Sequence, residues 1–188
     1  MKSDAQRDQE LKSLVDSRWA YQGRVIQLKL NTYQLEGRTK IAEIIHHPGA
    51  VVIVPVDEKG RVHLVQQWRR AAQEILIELP AGTLEKGELP EDCAKRELQE
   101  EAGFAAKKIT SLGGFFNAPG FCNEYLHLFA AEDLYPSPLP PDDDEQIDLL
   151  PTPLSVAMRM IEENKIRDAK TIAGLFRYQL WKAQCERS

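Results

Sequence analysis

Glu97, Glu100 and Glu101 stand at i, i+3 and i+4 of a segment that reads as helix, so three carboxylates share one helical face. Like charges gathered that way repel, and a helix gains no stability of its own from the pattern. A divalent cation with oxygen ligands reverses the sign of the problem. Arg96 precedes Glu100 by one turn and can hold it through a charge-assisted hydrogen bond. Glu88, in the loop before the helix, offers a fourth carboxylate, either to brace Arg96 or to add charge to a metal site. Gly82 and Gly103 bracket the group, the first suited to close backbone approach and the second to stopping the helix. The chemistry this suggests is that of a metal enzyme acting on phosphates.

The elements that must position these residues are legible in outline. The helix is expected to start at Pro90, with Glu91 and Asp92 at the positive end of its dipole, and to end at Gly103. Ala94, Leu98 and Ala102 give it a small apolar stripe for a sheet, with the carboxylates on another side. Before it, Ala50 to Val56 (AVVIVPV) reads as a buried strand and Arg61 to Trp68 as its neighbour across the Glu58-Lys59-Gly60 turn. Ile75 to Leu79 is a further short strand, and Leu112 to Phe116 and Tyr125 to Ala130 follow the helix. Ahead of all of these, a polar helical lead-in over about 3–17 precedes a hairpin whose arms are Val25–Leu30 and Ile41–Ile45, turning at Glu36-Gly37. Two amphipathic helices, marked by Leu154, Ala157, Met158 and Ile161 and by Ile172, Leu175, Phe176 and Leu180, close the chain. Mixed strands, a central helix and terminal helices make an α/β sandwich rather than a regular βαβ repeat.

Composition narrows the partners. At 188 residues, 43% hydrophobic and 28% charged, the chain suits a single soluble domain with a real core. A net charge of −5 argues against a general nucleic-acid binder, and no apolar run approaches a membrane span. Cys93, Cys122 and Cys185 are odd in number and lack CxxC spacing, which disfavours disulfides and zinc and fits a reducing cytoplasm. The N-terminus has no apolar stretch of the kind a signal peptide needs.

The stretch GTLEKGELPEDCAKRELQEEAGF, Gly82 to Phe104, resembles the signature of the Nudix hydrolases, G-x5-E-x7-R-E-U-x-E-E-x-G-U, at every specified position. Around it, HPGAVVIVPV, QWR, ELPAGTLEKGE, APGFCNE and IRDAKT are similar to the ADP-ribose pyrophosphatase branch. That likeness runs from about Trp19 to Trp181, and Pro119, sixteen residues past Gly103, stands where the branch carries a marker proline. The resemblance implies a Nudix α/β/α sandwich with a mixed sheet over 47–188. It further implies an N-terminal lead-in and β-hairpin over 1–46, used in dimerisation and in substrate contacts.

By the same resemblance, Glu97, Glu100, Glu101 and the backbone carbonyl of Ala81 are expected to hold Mg2+, with Mn2+ a possible substitute. Arg96 braces Glu100. Arg69 is expected on the substrate phosphates, Glu124 near the terminal ribose, and Pro119 and Gly82 in the substrate site. Glu43 matches a base-contacting glutamate, although Ile41 and Ala42 stand where an arginine usually precedes it. An acidic loop supplies the base for the attacking water, with Glu145 preferred and Asp143 second. The implied activity is Mg-dependent hydrolysis of ADP-ribose to AMP and ribose 5-phosphate by a cytoplasmic homodimer. Hydrolysis of GDP-mannose or of nucleoside diphosphate sugars broadly is the alternative. A silent ADP-ribose sensor is disfavoured because all four glutamates are present, and an mRNA-decapping enzyme because the chain is acidic.

Overall fold

The computed structural model describes residues 2–140 and 146–187. Asp143, Asp144 and Glu145, the acidic loop singled out for a base, lie outside the described residues. The chain divides into two compact units, one of residues 1–48 with 116–124 and one of residues 49–115 with 125–188.

In the first unit, helix α1 (Lys2–Ser13) leads into strands β1 (Leu14–Gln22), β2 (Gln27–Leu35) and β3 (Arg38–His46). They form an antiparallel sheet in the order β1-β2-β3. The expected hairpin is β2–β3, and its turn places Glu36 at φ 50° and Gly37 at φ 74°, the left-handed pair that a tight two-residue turn demands. Strand β1 is an addition to that expectation. Its register slips between Leu14 and Asp16 and again between Trp19 and Tyr21, so its side chains follow no simple alternation. None of the residues of these three strands is buried. Segment 116–124 joins through β3: the Ile45 N–H donates to the Phe121 carbonyl (2.8 Å) and the Asn123 N–H to the Ile45 carbonyl (3.1 Å).

The second unit runs β4 (Ala50–Pro55), β5 (Arg61–Arg69), β6 (Glu74–Glu78), β7 (Ala81–Thr83), α2 (Pro90–Ala102), β8 (Phe104–Phe116), β9 (Tyr125–Pro136), β10 (Ile147–Pro153), α3 (Leu154–Glu162) and α4 (Ala169–Cys185). One sheet has the order β7-β4-β9-β8 and is mixed, since β4 runs parallel to β9 and antiparallel to β7. The other has the order β10-β5-β6. Here the structure corrects an expectation: β5 is not the ladder neighbour of β4. The two share a single bridge, Val56 to Val62, and then diverge into different sheets. The continuous apolar run of β4 fits its place, since a strand with both faces covered belongs in the interior of a layered fold.

Alternate residues of β4 serve two cores. Val52 and Val54 pack with Leu79, Leu128, Leu175 and Tyr178 on the side of α4. Val51 and Ile53 pack with Cys93, Ala94, Leu98, Ala102 and Phe129 on the side of α2. Helix α4 comes very close to this layer at Gly174, where a Cβ would meet Leu79 Cδ1 at 2.6 Å. Strand β10 was not expected, and its prolines at 151 and 153 explain why it hid: they are admissible because it is an edge strand.

Candidate active site

Helix α2 takes the boundaries its sequence predicts. Pro90 opens it, Glu91 and Asp92 occupy the first turn, and Gly103 closes it at φ 73° with its N–H turned back to the carbonyls of Gln99 and Leu98. With Ala94, Leu98 and Ala102 committed to the core, the phase of the helix fixes its carboxylates. Glu97 and Glu101 are buried, at 9% and 7% exposure, while Glu100, one position before Glu101, is more open. Two of the three carboxylates therefore face inward rather than standing on a solvated side.

Arg96 holds the group together. Its Nε and Nη2 donate to the two carboxylate oxygens of Glu88 at 2.9 and 3.0 Å, a bidentate pair. Its Nη1 donates to Glu97 Oε1 at 2.6 Å and to Glu100 Oε2 at 2.8 Å. The bond to Glu88, followed by Glu97 and Glu100, raises the guanidinium well above its ordinary value. Glu88 is fixed in turn by accepting the Glu85 N–H at 2.9 Å, which closes the loop ahead of α2. Cys93 lies beneath, fully buried and 3.3 Å from Arg96 Nη2, and burial pushes its thiol up and out of reactive range.

These bonds make an acid-sensitive brace. The Arg96 contact, against the opposing effect of burial, brings Glu88 from its ordinary 4.5 down to about 2. A carboxyl depressed in the folded state stabilises the fold above its unfolded value and loses that contribution as pH falls through the window from 4.5 to about 2. Asp57, also brought down to about 2, titrates in the same window, so the informative quantity is a difference. We expect urea unfolding at about pH 5 and about pH 3 to show a smaller acid-induced loss for Glu88→Gln than for the parent protein. Equal losses would remove Glu88 from the account of acid stability.

Strand β7 provides the floor. It pairs with β4, Gly82 opposite Val51, and brings backbone directly under α2. A Cβ on Gly82 would sit 1.8 Å from the Glu97 carboxyl carbon, so the absence of a side chain there is what admits the carboxylate. The Ala81 N–H donates to Glu101 Oε2 at 2.8 Å, which ties the helix to the same short strand.

Arg69, at the end of β5, occupies a second charged cluster. Its Nε and Nη2 donate to Glu78 Oε1 and Oε2 at 2.9 and 2.7 Å, and Glu78 is 1% exposed. Lys170 of α4 also pairs with Glu78 and reaches Asp168 Oδ2 at 3.0 Å. Asp168 caps α4, accepting from the Thr171 N–H at 3.0 Å, while Thr171 Oγ1 accepts the Leu79 N–H at 2.8 Å. Burial works to raise the Glu78 carboxyl, but Arg69 and Lys170 override it and hold the group below its ordinary range. Arg69 is raised by Glu78 first, against burial, with Glu101 and Asp168 adding to the effect. Glu78, Asp168 and Lys170 were not recognised as site residues from sequence. Both ELPAG and IRDAKT were visible as segments, but nothing local announces that residues 78 and 170 meet.

The remaining candidates belong to the first unit. Glu43 and Pro119 line one cavity of about 470 Å3 together with Tyr33, Lys40 and Phe121. Glu124 accepts from Asn117 Nδ2 at 2.8 Å and lies 3.5 Å from His47 Nδ1.

Among the described residues, no three His, Cys, Asp or Glu side chains form a ready-made metal cluster. The guanidinium of Arg96 takes one oxygen each of Glu97 and Glu100. The donor set still fits a hard divalent cation. All are carboxylates, the ligand type such an ion prefers, and the Gly82 cradle leaves room for Glu97.

Residues 46–174 match the family described as NUDIX domain. The chain is 38% identical over 166 residues to ADP-ribose pyrophosphatase of Bacillus subtilis (strain 168), covering 87% of this chain and 90% of the relative. It is 36% identical over 166 residues, with the same 87% and 90% coverage, to methanol dehydrogenase activator of Bacillus methanolicus. A crystal structure of ADP compounds hydrolase has the same fold, with a TM-score of 0.83 at 23% identity over 94% of this chain and 96% of that one.

Proposed function

The chain belongs to the NUDIX domain family, and from that premise we propose that it hydrolyses the pyrophosphate bond of ADP-ribose and related nucleoside diphosphate sugars. Water adds across one P–O bond of the bridge, and ADP-ribose gives AMP and ribose 5-phosphate. The observation that carries this reading is the Arg96 hub, which gathers Glu88, Glu97 and Glu100 above the strand that Glu101 engages.

In this reading Glu97, Glu100, Glu101 and the Ala81 carbonyl hold a divalent ion, taken to be Mg2+ with Mn2+ as substitute. When bound, the ion neutralises phosphate charge and lowers the pKa of a bound water. Arg96 keeps the carboxylates in register while they exchange partners. Glu88 keeps Arg96 from folding onto them completely. Arg69 offers the guanidinium edge not spent on Glu78 to the substrate phosphates. Gly82 admits Glu97. Glu43 contributes to base recognition, Pro119 to the substrate site and Glu124 to the terminal ribose. The proton of the attacking water passes to Glu145, or to Asp143 in its place. The uncovered strands of the N-terminal sheet are read as the surface of a homodimer, because three strands without a buried face do not stand alone in water. The three free cysteines suit a cytoplasmic location. None of the described helices is long and apolar enough to cross a membrane.

The test is a panel of ADP-ribose, ADP-glucose and GDP-mannose, scored for nucleoside monophosphate and sugar phosphate, before and after chelation. We expect ADP-ribose to be preferred, activity to vanish on chelation and Mg2+ to restore it. A clear preference for GDP-mannose would overturn the adenine reading of Glu43, and activity that survives chelation would overturn the metal site.

A further inference from the structure

The carboxylate of Glu78 is the most deeply buried charge among the described residues of the site, and two cations attend it. Arg69 spends its Nε and Nη2 on it, and Lys170 reaches it from α4. For binding an anion this matters. An arginine that is the sole counter-ion of a buried carboxylate forms a neutral pair, and a neutral pair attracts a phosphate weakly. A second cation on the same carboxylate shares in neutralising it and leaves the arginine with more charge to offer than it would have alone, even though Asp168 also pairs with that cation. Lys170 is well placed for that part. Its side chain is 14% exposed, so its charge acts on Glu78 and Asp168 rather than on solvent, whereas Arg69 is 37% exposed. Asp168 and the cap of α4 fix where the ammonium stands.

We propose that Lys170 is a positioning residue for substrate binding: it takes up the charge of Glu78, so that Arg69, held by Glu78 in orientation, retains its own charge for the substrate diphosphate. The inference rests on the reading of Arg69 as the phosphate-binding arginine. Lys170 itself touches no substrate in this account and acts through Glu78.

The experiment measures KM and kcat for ADP-ribose, with thermal unfolding alongside, in Lys170→Met, Lys170→Arg, Lys170→Met/Glu78→Gln and Arg69→Gln. Lys170→Met is expected to raise KM about tenfold with the loss carried by KM rather than kcat. Lys170→Arg is expected to stay near the parent value. The double variant, with no buried carboxylate left to neutralise, is expected to recover most of the KM, because a Gln carbonyl still accepts from Arg69. A loss in Lys170→Met carried by thermal stability and kcat, with no rise in KM for the double variant to reverse, marks a merely structural lysine and overturns the proposal. A Lys170→Met protein with parental KM also overturns it. Arg69→Gln separates the two levels: if its KM is unchanged, the phosphate assignment of Arg69 fails and the proposal with it. If Arg69→Gln raises KM while Lys170→Met does not, the role of Lys170 alone fails.

Discussion

Replacing Glu101 by Gln should remove metal-dependent turnover, lowering kcat by about three orders of magnitude or more, and leave the protein folded. The two halves of that expectation come from different atoms. Glu101 is buried at 7% exposure and spends Oε2 on the Ala81 N–H. A glutamine in the same rotamer keeps an oxygen on that N–H, so the tie between α2 and β7 survives. What it loses is the negative charge that a ligand for a hard cation needs. Circular dichroism and thermal unfolding would report the first half, and AMP formation from ADP-ribose across a Mg2+ titration the second. Parental activity from the variant would take Glu101 out of the metal site. Unfolding of the variant would show that its charge is structural.

Gly82→Ala is the second large effect, and it comes from a single methyl group. The added Cβ lies 1.8 Å from the carboxyl carbon and from Oε1 of Glu97. No contact of that length can persist, and the movable partner is the end of a flexible side chain, so the carboxylate leaves its place. We expect kcat to fall about a hundredfold, with stability changed by only about 1 kcal/mol. The cause can be isolated by a cycle. In a Glu97→Ala background the collision is gone, and Gly82→Ala should add almost nothing to the loss already present. Additive losses in the double variant would place the damage in β7 and not in Glu97.

How much of this was legible before the coordinates depends on how far apart in sequence the interacting residues are. The α2 helix was readable to its ends because everything that determines it is local: a proline at the first turn, a glycine that can adopt φ 73° at the last, and an i, i+4 stripe between them. The Arg96 to Glu100 bond was readable for the same reason, being one helical turn long. Strand existence was readable at β4, where an unbroken apolar run leaves no alternative, but its partner was not. Proximity in sequence favoured β5, whereas β4 pairs with β7 and β9. Strand β1 was partly hidden by two register slips, and β10 by prolines that only an edge position permits. The Glu78 to Lys170 pair, 92 residues apart in sequence, has no periodicity to announce it. A buried glutamate can only be recognised as such once its neighbours are known.

The double duty of β4 has a consequence for time rather than for energy. Its backbone is bonded to β7 on one side and β9 on the other, and both of its faces are covered. Amides in such a strand exchange with solvent only when the whole unit opens, so they sit at the slow end of the protein's hydrogen-exchange spectrum. Helix α2 rests on one face of that strand, and β7 hangs from its edge. The scaffold of the four glutamates therefore persists for as long as the unit itself stays folded. The faster fluctuations are left to side chains such as Arg96.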